Sequence, residues 1–252
     1  MADLQEIVEF LDGYLRIAEI EDYPGAWNGL QVGSRAPVEK VCAATDACQA
    51  TIEMAAEAGG QLLLVHHGLF WAEPLPITGR NYRRLRVAFD AELAVYSAHL
   101  PLDVHAEVGN NVRLAAVLGL TIEGTFGRHR GVDGIGVWAA TDLSLTELSR
   151  RVEAACGAPP RLIAGGPGHV RRVGIVTGGA GSLIGAVHRE GLDTFITGEG
   201  SHHTFHDATE LGVNVLYAGH YATETLGVKA LAGVVAERFE LEWAFLDHPT
   251  GL

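Results

Sequence analysis

The chain has 252 residues, of which 48% are hydrophobic and 32 are glycine, enough for one large or two ordinary α/β domains with many tight turns. Against 31 acidic residues stand 18 basic ones, a net charge of −13 that repels polyanions, so binding of nucleic acid or an anionic membrane is not expected. Three cysteines, Cys42, Cys48 and Cys156, form no CxxC pair and leave an odd count, which argues against a disulfide framework and for a reducing compartment.

The opening segment, Met-Ala-Asp-Leu-Gln-Glu-Ile, lacks the basic-then-apolar order of a secretory leader. No apolar stretch approaches the ~20 residues a membrane helix needs. A cytoplasmic chain is therefore expected. Leu4, Ile7, Val8, Leu11 and Leu15 recur at helical spacing, which predicts a helix over 3–18 with Asp3 as N-cap. Strand-like runs at 41–45 and 62–65 flank a helix predicted from Asp46 to Ala58 and closed by Gly59-Gly60, a βαβ unit. A basic helix follows over Tyr82–Leu93, then a strand at 94–98 and a helix from His105 to Leu118. The glycine-rich middle, 122–166, carries short strand patterns and one helix over 144–156. From 170 the alternation resumes, with strands at 173–176, 194–197 and 213–218 and helices at 181–190 and 203–211. A long helix over 221–237 and a strand near 241–246 close the chain. Alternating strands and helices predict an α/β fold with mostly parallel sheets.

The second half reads as a repeat of the first. A shift of 132 residues lays Val38 on Val170, Val41 on Val173, Thr45 on Thr177, Gly59 on Gly191 and Gly68 on Gly200. Under it His66-His67-Gly68 falls on Gly198-Glu199-Gly200. The alternative to a duplication is that any two βαβ units look alike, because Val, Gly and Thr recur at equivalent places. Two similar α/β lobes, about 1–125 and 126–252, are expected to face a shared cleft at their strand ends, where open α/β sheets bind ligands.

Three apolar runs stop at residues that bind metals. The first ends in His66 and His67, the second in His99 with Asp103 four residues on, and the third in His220 with Glu224. Adjacent residues on a strand point to opposite faces, so His66 and His67 meet one ion only if the chain turns at Gly68; two neighbouring ions suit them better. Separately, one of the two could cap the strand end and the other be solvated. His220 and Glu224 share a helix face in the first turn, a spacing that fits an imidazole and a carboxylate on metal and equally a solvated polar face. Asp103 reads as a ligand or as the cap of the helix predicted from His105. Taken together, they are nitrogen and oxygen donors without thiolate, the composition of an open catalytic site and not of a closed structural zinc site.

The segments Trp27-Asn-Gly-Leu-Gln-Val-Gly33, Val65-His-His-Gly-Leu-Phe-Trp71, Ala98-His-Leu-Pro-Leu-Asp103 with Gly109-Asn-Asn111, Thr197-Gly-Glu-Gly-Ser-His-His203 and Ala218-Gly-His-Tyr-Ala-Thr-Glu224 span nearly the whole chain. In this order they resemble the dinuclear-metal-centre hexameric family, the Nif-three-like or GTP cyclohydrolase type 2-like proteins. The resemblance implies a single two-lobed α/β/α unit, two divalent ions per chain and a toroidal homohexamer. Carried over by position, His67 and Asp103 hold one metal, His66 and His220 the other, and Glu224 touches both. Zn, Mn, Fe or Ni suits such donors. The implied activity is metal-dependent hydrolysis, a cyclohydrolase opening of the guanine imidazole ring of GTP or hydrolysis of another small molecule, with Glu199 or His99 moving protons. A non-catalytic metal-binding ring that serves as a scaffold is the alternative. Longer members carry a domain between the lobes, for which the short 122–166 segment leaves no room. Trp27 and Trp71 are read as packing residues, and the run Arg80, Arg83, Arg84 and Arg86 as a solvated face.

Overall fold

The computed structural model describes residues 1–71 and 76–251. The first part of the chain runs through α1 (Leu4–Tyr14), β1 (Gly29–Val32), β2 (Lys40–Asp46), α2 (Gln49–Glu57), β3 (Leu62–His67), α3 (Gly79–Asp90), β4 (Ala94–Ser97) and α4 (Leu100–Asp103). It continues through α5 (Asn110–Val117), β5 (Ile122–His129), β6 (Val132–Ser144), α6 (Leu145–Cys156), β7 (Arg161–Ala164) and β8 (His169–Ile175). A 3₁₀ turn, α7 (Ile184–Arg189), β9 (Thr194–Thr197), α8 (Thr204–Leu211), β10 (Asn214–Tyr217), α9 (His220–Phe239) and β11 (Glu242–Phe245) complete it. Two compact units interleave along this path: Met1–Val108 with Gly227–His248, and Gly109–Leu226 with Pro249–Leu252. The return of β11 to pair with β2 is what a linear division near 125 does not express.

The first unit is a five-stranded sheet in the order β1-β4-β3-β2-β11. Its β2, β3, β4 and β11 pair in parallel, and only β1 lies antiparallel, against β4. Alternation along the strands feeds two cores. Val41, Ala43, Leu62, Leu64 and Tyr96 join Ile7, Val8 and Leu11 of α1 and Leu231 and Val235 of α9. Cys42, Ala44, Leu63, Val65 and Val95 face Ile52 and Ala55 of α2 and Leu85 and Ala88 of α3. A sheet buried on both faces explains why these strands read as unbroken apolar runs. The helix predicted over 3–18 ends at Tyr14, because Arg16 takes a left-handed φ of 55°. Asp3 does cap it, accepting from the amides of Gln5 and Glu6.

The second unit holds a six-stranded sheet in the order β5-β6-β8-β9-β10-β7. Its centre, β8-β9-β10, is parallel, and the neighbour order matches that of β2-β3-β4. The flanks are antiparallel: β5 on β6, β6 on β8 and β7 on β10. The glycine-rich middle therefore builds hairpin strands in place of further βαβ units. Arg130 and Gly131, with φ of 48° and 86°, form the two-residue turn that sets His129 opposite Val132. Ser144 accepts from the Glu147 amide to start α6, and Gly157 at φ 81° ends it. The helix predicted from His105 starts at Asn110 instead. His105 accepts from the amides of Glu107 and Val108 and donates through Nε2 to the Tyr14 carbonyl, which closes that stretch into a turn.

Candidate metal centre

In the first unit the site residues lie at the carboxyl ends of neighbouring strands. His66 and His67 are the last residues of β3, and His99 follows the end of β4. His66 is buried, and its Nδ1 donates to the Ala98 carbonyl at 3.0 Å. A carbonyl only accepts, so Nδ1 carries the proton and Nε2 the lone pair. That Nε2 lies 3.6 Å from Oδ2 of Asp103, which ends the short helix α4. His67 turns its Nδ1 to Oδ1 of Asp46 at 2.8 Å, and Asp46 ends β2 level with His67 across the parallel pair. His99 places its Nδ1 2.9 Å from Oδ1 of Asp22.

One ring nitrogen each from His66, His67 and His99 come within 4.8 Å of one another. The His66 and His67 ring centroids are 4.7 Å apart, and His99 lies 4.9 Å and 5.6 Å from them. His66 and His67 come together at the end of β3, which stops at His67. A Cβ on Gly68 would run into the Gln31 side chain, whose Oε1 accepts from the Leu69 amide at 2.6 Å. The Asp22 carboxylate is 5% exposed. Burial pushes its pKa up, but the hydrogen bond and charge of His99, with hydrogen bonds from Asn28 and the Tyr23 amide, outweigh burial and hold it below the usual carboxylate range.

In the second unit His220 opens α9 after β10, and Glu224 stands one turn on. His220 Nε2 is 3.1 Å from Oε2 of Glu224, and its Nδ1 is 2.8 Å from Oε1 of Glu199, which follows β9. The hydrogen bond to Glu224, against the opposing effect of burial and with the charge of Glu224 and the hydrogen bond and charge of Glu199, pushes His220 up to about 9. A metal on this nitrogen must displace a proton. The loop after β8 closes on the same residues. The Gly178 amide donates to Thr223 Oγ1 at 3.0 Å, and a Cβ on Gly178, whose φ is +67°, would collide with the Glu224 carboxylate. The ends of β8, β9 and β10 thus converge on His220 and Glu224, as the crevice beyond the carboxyl ends of parallel strands requires.

These donors fit a divalent metal. Each of the four imidazoles has an oxygen acceptor on Nδ1, which sets the orientation of the ring. The remaining donors are carboxylates, and no cysteine belongs to the clusters found among the described residues. The structure brings His66, His67, His99 and Asp103 together in the first unit and His220, Glu224 and Glu199 in the second. The outer partners Asp22, Asp46 and Asn28 were not legible as such. Asp46 could have been found from the register that sets the end of β2 beside the end of β3, whereas Asp22 lies in an irregular segment with no periodicity to read.

The profile of the Duf34/NIF3 (NGG1p interacting factor 3) family matches residues 2–250. A Deinococcus radiodurans protein named GTP cyclohydrolase 1 type 2 homolog is 43% identical over 98% of this chain and 94% of its own length. A Halobacterium salinarum protein of the same name is 41% identical, with 99% and 100% covered. The crystal structure of a Thermus thermophilus protein superposes with a TM-score of 0.89 at 45% identity, covering 99% of this chain and 100% of that one. Fold, strand-end histidines and relatives agree, and the chain belongs to the Duf34/NIF3 family.

Proposed function

We propose that the chain is a divalent-metal-dependent hydrolase acting on a purine nucleotide or a similar small molecule, with GTP cyclohydrolase-type ring opening as the first reaction to test. The observation that carries this reading is the common orientation of His66, His67, His99 and His220, each with its Nδ1 held by an oxygen, at the strand ends where the carboxylates Asp103 and Glu224 also lie. Such outer partners are what metal-binding histidines need, and a structural histidine has no use for the same arrangement four times. The name shared by the curated relatives supports the substrate class.

His66, His67, Asp103, His220 and Glu224 are the proposed ligands of two divalent ions, drawn from Zn, Mn, Fe or Ni, with Glu224 serving both. Bound there, such ions would acidify a water molecule and polarise the bond under attack. His99 is the proposed proton carrier. Its Nδ1 is held by Asp22, so its Nε2 can take a proton and return it, as a carboxylate-backed imidazole does in general acid–base catalysis. Glu199, the other candidate, is engaged with His220 Nδ1 and acts by orienting that ring. The same reading takes the chain to be a cytoplasmic homohexamer.

The test is turnover. Metal-stripped protein, reloaded with each of the four metals in turn, is incubated with GTP and a nucleotide panel, and products are identified by mass spectrometry. Product above the stripped control is expected with at least one metal. No metal-dependent product across the panel would overturn the hydrolase reading and leave a metal-binding scaffold.

A further inference from the structure

Asp22 makes more hydrogen bonds than a loop anchor needs, and they divide by oxygen. Oδ1 accepts from His99 Nδ1 at 2.9 Å and from the Tyr23 amide at 2.7 Å. Oδ2 accepts from the Leu100 amide at 3.0 Å and from Asn28 Nδ2 at 2.8 Å. Asn28 in turn accepts the His99 amide on Oδ1 at 2.7 Å. The segment Asp22–Asn28 is thus a strap clamped to the backbone of His99–Leu100 by one carboxylate oxygen and by Asn28. The other oxygen is reserved for the imidazole.

A buried carboxylate is costly unless its lone pairs are satisfied, and anchoring alone could be done by a neutral residue. Only a carboxylate accepts on both oxygens. An asparagine here must turn its NH₂ either toward His99 Nδ1 or toward the donors of Leu100 and Asn28. Two rings flank the imidazole: Trp71 edge-on at 4.9 Å between centroids and 78°, and Tyr23 at 5.6 Å. They hinder rotation of the ring and preserve the aim that the hydrogen bond sets.

We propose that Asp22 is a positioning residue that fixes the tautomer and direction of His99, keeping the proton on Nδ1 and the lone pair on Nε2 beside His66 and His67. The consequence for chemistry rests on the hydrolase reading, which gives His99 its proton-carrying role; the assignment of the tautomer does not. Asp22 acts through His99 and touches no reacting atom.

The experiment reads the ring directly. Full-length protein with ¹⁵N-labelled histidine, stripped of metal, is observed through long-range ¹H–¹⁵N correlations, with His99→Gln identifying the His99 signals. Wild type is expected to show His99 protonated on Nδ1 with a pyridine-like Nε2. Asp22→Asn is expected to populate the Nε2-protonated form. Asn28→Ala, which loosens the strap but spares Oδ1, is expected to leave the tautomer as in wild type. An Nε2-protonated His99 in the wild type overturns the proposal, and so does an unchanged tautomer in Asp22→Asn. An equal change in Asn28→Ala would reduce Asp22 to a loop anchor. If Asp22→Asn lacks a cooperative thermal transition, the wild-type spectrum and Asn28→Ala still decide. Where the wild type turns over nucleotide, Asp22→Asn should lower kcat by about 10²-fold or more with KM little changed. A wild type without turnover sinks the hydrolase reading while the tautomer result stands.

Discussion

Glu224 is the side chain on which the two-ion reading turns. Its carboxylate is buried one turn into α9, 3.1 Å from His220 Nε2. A carboxylate shared by two dications supplies a donor to each and offsets their mutual repulsion. Glu224→Gln keeps the shape and removes the charge, so it should lose both metals, whereas His66→Ala and His67→Ala should each mainly weaken one. Elemental analysis after gel filtration measures this, with circular dichroism confirming the fold; two metals retained by folded Glu224→Gln protein would remove the shared role. Gly178 offers a second probe. At φ +67° an alanine costs about 1–2 kcal/mol in backbone strain, and its Cβ would also displace the Glu224 carboxylate. Gly59, at φ +69° with nothing within 4 Å of a Cβ, isolates the strain. Both alanine variants should melt earlier, and only Gly178→Ala should lose metal.

At the scale of elements, α1 is tied to the first sheet by one polar contact inside an apolar layer. Tyr96 of β4 is fully buried and donates its hydroxyl to Asp12 Oδ1 at 2.8 Å. Tyr96→Phe leaves that carboxylate oxygen without its donor and should cost about 1–2 kcal/mol in urea unfolding. Burial first, then the hydrogen bond and charge of Asp12, raise the Tyr96 pKa far above its usual value. The folded state therefore holds this proton more tightly than the unfolded chain. Its contribution is complete below the ordinary tyrosine pKa of about 10 and is lost progressively as pH rises beyond it. Stability measured from pH 9 to 11 should fall more steeply in wild type than in Tyr96→Phe. Strand and helix types were readable wherever burial was two-sided or amphipathic, as in β3 and α6. The boundaries that failed had local causes: the left-handed Arg16 ended α1, and the hydrogen bonds of His105 delayed α5.

For the whole molecule, the family resemblance leads us to expect a hexamer, and sedimentation at micromolar concentration should give several times the 26.8 kDa of one chain. A single species at the monomer mass would contradict it. Among the described residues no helix is long and apolar enough to cross a membrane. With a net charge of −13, any nucleic-acid binding should be weak and non-specific, because the arginines of α3 are the one concentrated basic run in the sequence. Tight duplex binding at physiological salt after their removal would contradict that.

The amino-acid order by itself determined the α/β class, the apolar runs that stop at His66, His99 and His220, and the nitrogen–oxygen character of the donors. These are properties of periodicity and of residue type, which are local. Tertiary structure decided what periodicity cannot express. It returned β11 to the first sheet beside β2, and it made a β5–β6 hairpin in the glycine-rich middle. It also brought Asp22, from an irregular segment 77 residues away, onto the ring of His99. A hydrogen bond between side chains so far apart in sequence depends on where two backbones are carried by the packing of everything between them, and no spacing rule records that.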